Sequence, residues 1–117
     1  MRQTRRSEGV KEVTMTRKEA IQKHRKMWSW IADNPGKDKR DYLEKFDPES
    51  KLISDCYLCE YAEERGRDCE DCLVSWPSGG SCYAVNELYE IWGIRMFRGH
   101  YTEASRIARQ IAELPER

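Results

Sequence analysis

All five cysteines of this chain fall between Cys56 and Cys82: Cys56-Tyr-Leu-Cys59, nine residues, Cys69-Glu-Asp-Cys72, nine residues, Cys82. A Cys-x-x-Cys step lets two thiolates face one ion at about 2.3 Å each, in a turn or in one turn of helix. Two such steps supply four soft ligands, enough for a closed tetrahedral site. The simplest set is Cys56, Cys59, Cys69 and Cys72. Cys82 is then either a free thiol beside the site or a replacement for one member of the second pair, Cys69 before Cys72. Zinc is the expected ion. A four-cysteine iron–sulfur cluster uses the same ligands, but the compact spacing and the lack of a partner redox motif favour zinc. A catalytic zinc keeps an open position and usually takes a His or a carboxylate. His24 and His100, the two histidines, lie far from the cysteines in sequence. The site is therefore expected to be a structural staple.

The compartment points the same way. No apolar run of signal-peptide length opens the chain, and no stretch approaches the roughly 20 apolar residues of a membrane span. A cytoplasmic protein with no membrane association is expected. In that reducing setting, clustered thiols are metal ligands rather than disulfides.

A staple would also answer a shortage. Hydrophobic residues make up 38% of the chain against 36% charged, with only two Phe. A lean core in a 117-residue chain gains from a metal, and four Trp and six Tyr add rings that each bury roughly 150–250 Å².

The elements that must position the cysteines are helical. Thr16-Arg17-Lys18-Glu19 fits a capping box, and Ile21, His24, Trp28 and Ile31 then recur on one helix face, widened by Ala20 and Met27. This helix, about 16–33, stops at Asn34-Pro35-Gly36. A short helix is predicted at about 38–46, from Asp38 to Phe46, and 49–55 then leads irregularly, or as a brief extended piece, into the first cysteine pair. Glu60 to Arg65 has helical propensity and ends at Gly66. Residues 73–81 form a loop with Trp76 as its large anchor. A helix at about 83–92 carries Val85, Leu88, Tyr89 and Trp92 and ends at Gly93, with Ile94, Met96 and Phe97 as a short apolar connection. The last helix runs from Tyr101 to Leu114 with a stripe of Ala104, Ile107, Ala108 and Ile111. The expected fold is mainly α: one small domain over 15–117, with its first and last amphipathic helices packed together beside a cysteine-bound zinc knot. Residues 1–14 are expected to be a flexible basic arm.

Charge divides the molecule. The formal net charge is zero, yet residues 1–30 carry nine Lys/Arg against three Glu, and residues 55–72 carry seven acids against two Arg. The basic end offers Arg17, Lys18, Lys23, Arg25 and Lys26, together with the arm, as a surface for phosphates. A solvated helix face is the plainer explanation of the same residues. Trp28 and Trp30 cannot share a helix face. Trp30 is then either a partly exposed interface anchor or packed against the metal module or Trp92. His24, on the apolar stripe, reads as a packing residue rather than a ligand. No phosphate-cradling Gly loop, zinc-protease His pair or nucleophile elbow occurs, so no catalytic residue is assigned.

The run Cys56-Tyr-Leu-Cys59-Glu60-Tyr61-Ala62, then Cys69-x-x-Cys72, Trp76 and Cys82, resembles a group of short uncharacterised bacteriophage proteins. So do Glu19-Ala20-Ile21 with Trp28-x-Trp30-Ile31-Ala32, and Glu103-Ala104 through Ala108 to Ala112 and Pro115-Glu116-Arg117. The likeness covers about 15–117 and departs at Leu73, where the group often has Pro. It implies phage origin and a cysteine-bound metal, and it brings no activity. The expected role is non-enzymatic: an accessory protein that binds a host protein and modulates it, such as an inhibitor of a host enzyme or antiviral defence protein. The alternative is a nucleic-acid-binding, zinc-ribbon-like accessory protein that uses the basic first helix.

Overall fold

The computed structural model describes residues 16–48, 56–64, 72–79, 82 and 86–117. The expected arm at 1–14, the segment 49–55, the Gly66 stop and Cys69 lie outside the described residues.

The described residues form five helices: α1 (Arg17–Asp33), α2 (Lys39–Phe46), α3 (Tyr57–Glu64), α4 (Leu88–Phe97) and α5 (Tyr101–Ala112). The described residues are mainly helical, and their one β feature is an isolated antiparallel bridge between Val74 and Glu116. None of their helices is long and apolar enough to cross a membrane.

Local chemistry explains the starts. The Thr16 hydroxyl accepts the Glu19 amide at 3.1 Å, and the Glu19 carboxylate takes the Thr16 amide in return at 2.9 Å. These bonds hold the Glu19 carboxyl below its usual range. Asp38 and Asp41 repeat the exchange at the head of α2, at 3.0 and 2.9 Å. Each box satisfies amides that a helix start otherwise leaves orphaned.

The apolar stripe of α1 is buried as its spacing predicts: Ala20, Ile21, His24, Met27, Trp28 and Ile31. It meets α5, whose buried residues are Ala104, Ala108, Ile111 and Ala112. Three alanines leave no side chain to hold the helices apart, and this is the most extensive helix contact among the described residues. α4 packs on α5, while α2 and α3 pack on α1. The backbones of α1 and α4 stay apart, and rings span the gap. Trp28 meets Trp92 edge-on at 4.9 Å and Tyr89 at 6.1 Å. Edge-to-face pairs of this kind add about 0.5–1.5 kcal/mol beyond their burial.

Three boundaries differ from the sequence reading. α4 starts at Leu88 and continues through Gly93 to Phe97, so Ile94, Met96 and Phe97 are helical rather than a connection. A helical Gly costs only about 1 kcal/mol. Gly99, with φ of +74°, follows the actual stop. α3 begins at Tyr57, which places Cys59 inside it. α5 ends at Ala112, two residues short of Leu114, whose amide still reaches the Ile111 carbonyl at 3.3 Å.

The segment after the second cysteine pair is more than a loop with one anchor. Leu73, Val74 and Trp76 are all buried. The Ser75 amide bonds the Pro115 carbonyl, and the Arg117 amide bonds the Leu73 carbonyl, both at 2.8 Å. This clamp ties the cysteine-bearing segment to the residues that follow α5.

Candidate functional site

Cys56 immediately precedes α3, and Cys59 lies in the first turn of that helix. The Cys59 amide donates to the Cys56 sulfur at 3.4 Å, the kind of N–H···S contact that favours a thiolate. Without a metal, hydrogen bonding to the Cys59 side chain pushes the Cys56 thiol well above its ordinary value. Burial and the charges of Cys59 and Cys82 add to the effect.

Cys72 stands differently. Its sulfur accepts the Trp76 indole N–H at 3.4 Å, and the Arg117 guanidinium reaches its carbonyl at 3.3 Å. None of the four described cysteines is in a disulfide. Among the described residues no three His, Cys, Asp or Glu side chains converge at metal-binding distance. Cys69, one of the four ligands in the simplest assignment, is outside that set. The two Cys-x-x-Cys pairs of the sequence nonetheless offer soft donors of the kind zinc takes.

His24, on the apolar face of α1, is 2% exposed. Its Nε2 is 3.2 Å from the Ile111 carbonyl oxygen, so Nε2 carries the proton. Nδ1 is buried and has no hydrogen-bond partner among the described residues. Burial pushes the imidazole pKa down to about 4, a direction the Ile111 bond and the charge of Cys59 oppose. The ring is neutral at pH 7. The Lys23 ammonium, one residue earlier, stands 5.5 Å from the centroid of the Tyr57 ring. This part of α1 thus faces the first turn of α3.

The basic surface is partly spent on the fold. Arg17 pairs with Glu116 at 2.9 Å and donates to the Arg117 carbonyl at 2.7 Å. Arg25 donates to the Leu114 carbonyl at 3.1 Å. Lys18, Lys23 and Lys26 remain exposed. A cleft of about 510 Å³ opens here, lined by Arg17, Lys18, Ile21, Gln22, Arg25 and Glu116.

Trp30 is half-buried, and among the described residues its ring partners do not include Trp92. It packs edge-on against Tyr42 at 5.7 Å and Phe46 at 5.8 Å. Trp28 is the ring that meets Trp92.

The sequence reading missed two features. Phe97 is 92% exposed on α4, with Ile94 (40%) one turn earlier and Tyr101 (46%) at the start of α5. Its only sequence signal was the three-residue spacing of Ile94 and Phe97. Lys39 is 9% exposed, with its ammonium 4.4 Å from the Tyr89 ring centroid and hydrogen-bonded to that ring's hydroxyl. Nothing in the sequence pairs those two residues.

The chain matches no protein-family model, and no curated protein or solved structure matches it either.

Proposed function

We propose that this is a small, non-enzymatic, phage-encoded protein that binds a host protein and modulates it, with cysteine-bound zinc as its staple. An inhibitor of a host enzyme or of an antiviral defence protein is the concrete form. Phage origin rests on the resemblance carried by the cysteine run and the two end segments. Zinc rests on the two Cys-x-x-Cys pairs of the sequence. The absence of a catalytic role follows the sequence reading.

The observation that carries the binding surface is Phe97. Full burial of such a side chain is worth about 1.5–3 kcal/mol, yet its ring is 92% exposed and shares α4 with the half-exposed Ile94. Arg95 and Arg98 flank it in sequence. Exposed apolar groups rimmed by Arg have the composition of a protein interface. The test captures proteins from host lysate on the purified chain and on a Phe97→Asp variant of equal thermal stability. A protein retained by the first and not by the second supports the reading. Equal retention, or none, overturns it.

The second reading, nucleic-acid binding, draws on the cleft beside Arg17, Lys18 and Arg25. Its weakness is that both arginines already bond the segment after α5. Affinity for DNA or RNA that falls steeply with salt, and is lost on charge reversal of Lys18, Lys23 and Lys26, is its signature. No binding at low salt removes it.

A further inference from the structure

We infer that the exposed face of α4 pairs with the same face of a second copy of this chain, in an antiparallel, two-fold contact built from Glu90, Gly93, Ile94, Phe97 and Arg98. The inference rests on the reading of Phe97 as a binding surface and adds what covers that surface in the free protein.

The five residues recur at i, i+3, i+4, i+7 and i+8, which is one side of a helix, with Arg98 as its C-cap. Trp92, on the other side, is buried, whereas Phe97 is 92% exposed and Ile94 40%. Two apolar side chains alone do not say what covers them. Gly93 supplies a second observation. It sits within the helix, where Gly costs stability against Ala, and a Cβ built on it meets nothing within 4 Å. No packing inside the described chain requires a glycine there. A bare backbone position beside exposed apolar side chains suits a close approach from outside.

The order of charges selects the occupant. Glu90 stands at the head of the face and Arg98 at its foot. Glu90 spends one oxygen, Oε1, on the Asn86 amide at 2.7 Å. Arg98 forms no ion pair among the described residues, while Arg95 is paired within the copy, to Glu103 at 3.2 Å. A two-fold contact needs one surface that complements itself. Turned antiparallel about an axis beside Ile94, this face does so: Glu90 of each copy meets Arg98 of the other, and Ile94 meets Ile94. Helical side chains lean towards the N-terminus of their own helix, which carries each Phe97 ring over Gly93 of the other copy. A parallel pairing would instead set like charges together. Acid and base, ring and recess all lie on one chain.

The contact is small. α4 has ten residues, about 15 Å of helix, too short to bury the about 800 Å² per partner of a standard interface. Pairing is therefore weak and reversible, and a host protein competes with the second copy for the face.

The experiment is sedimentation equilibrium of the full chain from micromolar to millimolar concentration, where a concentration-dependent dimer is expected. Phe97→Asp should weaken pairing by at least about 100-fold, because each dimer loses two buried rings. Gly93→Gln should raise the thermal midpoint of the dilute monomer by restoring helix propensity, yet weaken pairing by about tenfold or more by filling the recess. Arg98→Glu should weaken pairing, and adding Glu90→Arg should restore it; no restoration overturns the antiparallel register. A wild-type chain that stays monomeric, or a dimer that Phe97→Asp and Gly93→Gln leave intact, overturns the inference and leaves the host-protein reading to its own capture test. A dimer through this face that retains no host protein supports the inference and overturns the host-protein reading alone.

Discussion

Nε2 of His24 lies 3.2 Å from the carbonyl oxygen of Ile111, joining the first and last helices by a buried polar bond, while Arg109 and Asp33 pair across them at the exposed edge. The bond takes up a carbonyl near the end of α5 and fixes the ring's tautomer. His24→Ala is expected to lower stability by about 2–4 kcal/mol, from lost packing and an orphaned carbonyl together. Urea unfolding with an unchanged m-value checks it. A loss below about 0.5 kcal/mol would mean that the ring and its bond do not hold α1 to α5.

The proposed zinc staple carries its own prediction. If it holds the fold, exhaustive chelation, or Cys56→Ser, abolishes cooperative thermal unfolding rather than merely lowering its midpoint, because binding at a structural site is coupled to folding. Circular dichroism at 222 nm follows both. An unchanged midpoint after either treatment would show that the helices hold together without the cysteine site.

Glu87 predicts an acid-dependent loss. The carboxylate is 2% exposed and accepts the Ser78 amide at 2.9 Å and the Leu88 amide at 2.8 Å. Burial opposes its charge, but these bonds prevail, and its folded pKa lies below the usual value of 4.5. A depressed carboxylate pKa stabilises the fold above the unfolded value, and that contribution disappears as pH falls through the folded value. Glu87→Gln should therefore cost about 1.5–3 kcal/mol at pH 7, with the gap to wild type narrowing below about pH 4.5. Denaturant midpoints at pH 7 and pH 3.5 test it, and a gap independent of pH would contradict it.

Gly99 separates α4 from α5 with φ of +74°, and a Cβ added there meets no atom within 4 Å. The cost of Gly99→Ala is purely conformational and expected to be about 1–2 kcal/mol. Thermal unfolding reads it as a drop of a few degrees. No change would imply that the turn relaxes.

Much of the helical layout was legible in the chain itself. The capping boxes at Thr16 and Asp38 depend on residues three apart, and the α1 stripe on a 3.6-residue period. Both are local, so the structure repeats them closely. Gly93 misled because a single helical Gly is a weak stop once residues on both sides are packed. The fates of Arg17 and Arg25 were not legible either. Their partners, Glu116, Arg117 and Leu114, are about 90 to 100 residues away, and charge alone does not distinguish a phosphate contact from an internal bond.

The cysteines show the same division. By itself the sequence determined that five soft donors crowd into 27 residues, because ligand spacing is a local property. It also determined that two amphipathic helices bracket them. Only the tertiary structure decided that Cys56 and Cys59 lie at the head of α3, that α3 packs on α1, and that the segment starting at Cys72 is clamped to the residues after α5. Contacts between elements far apart in the chain leave no mark in local spacing.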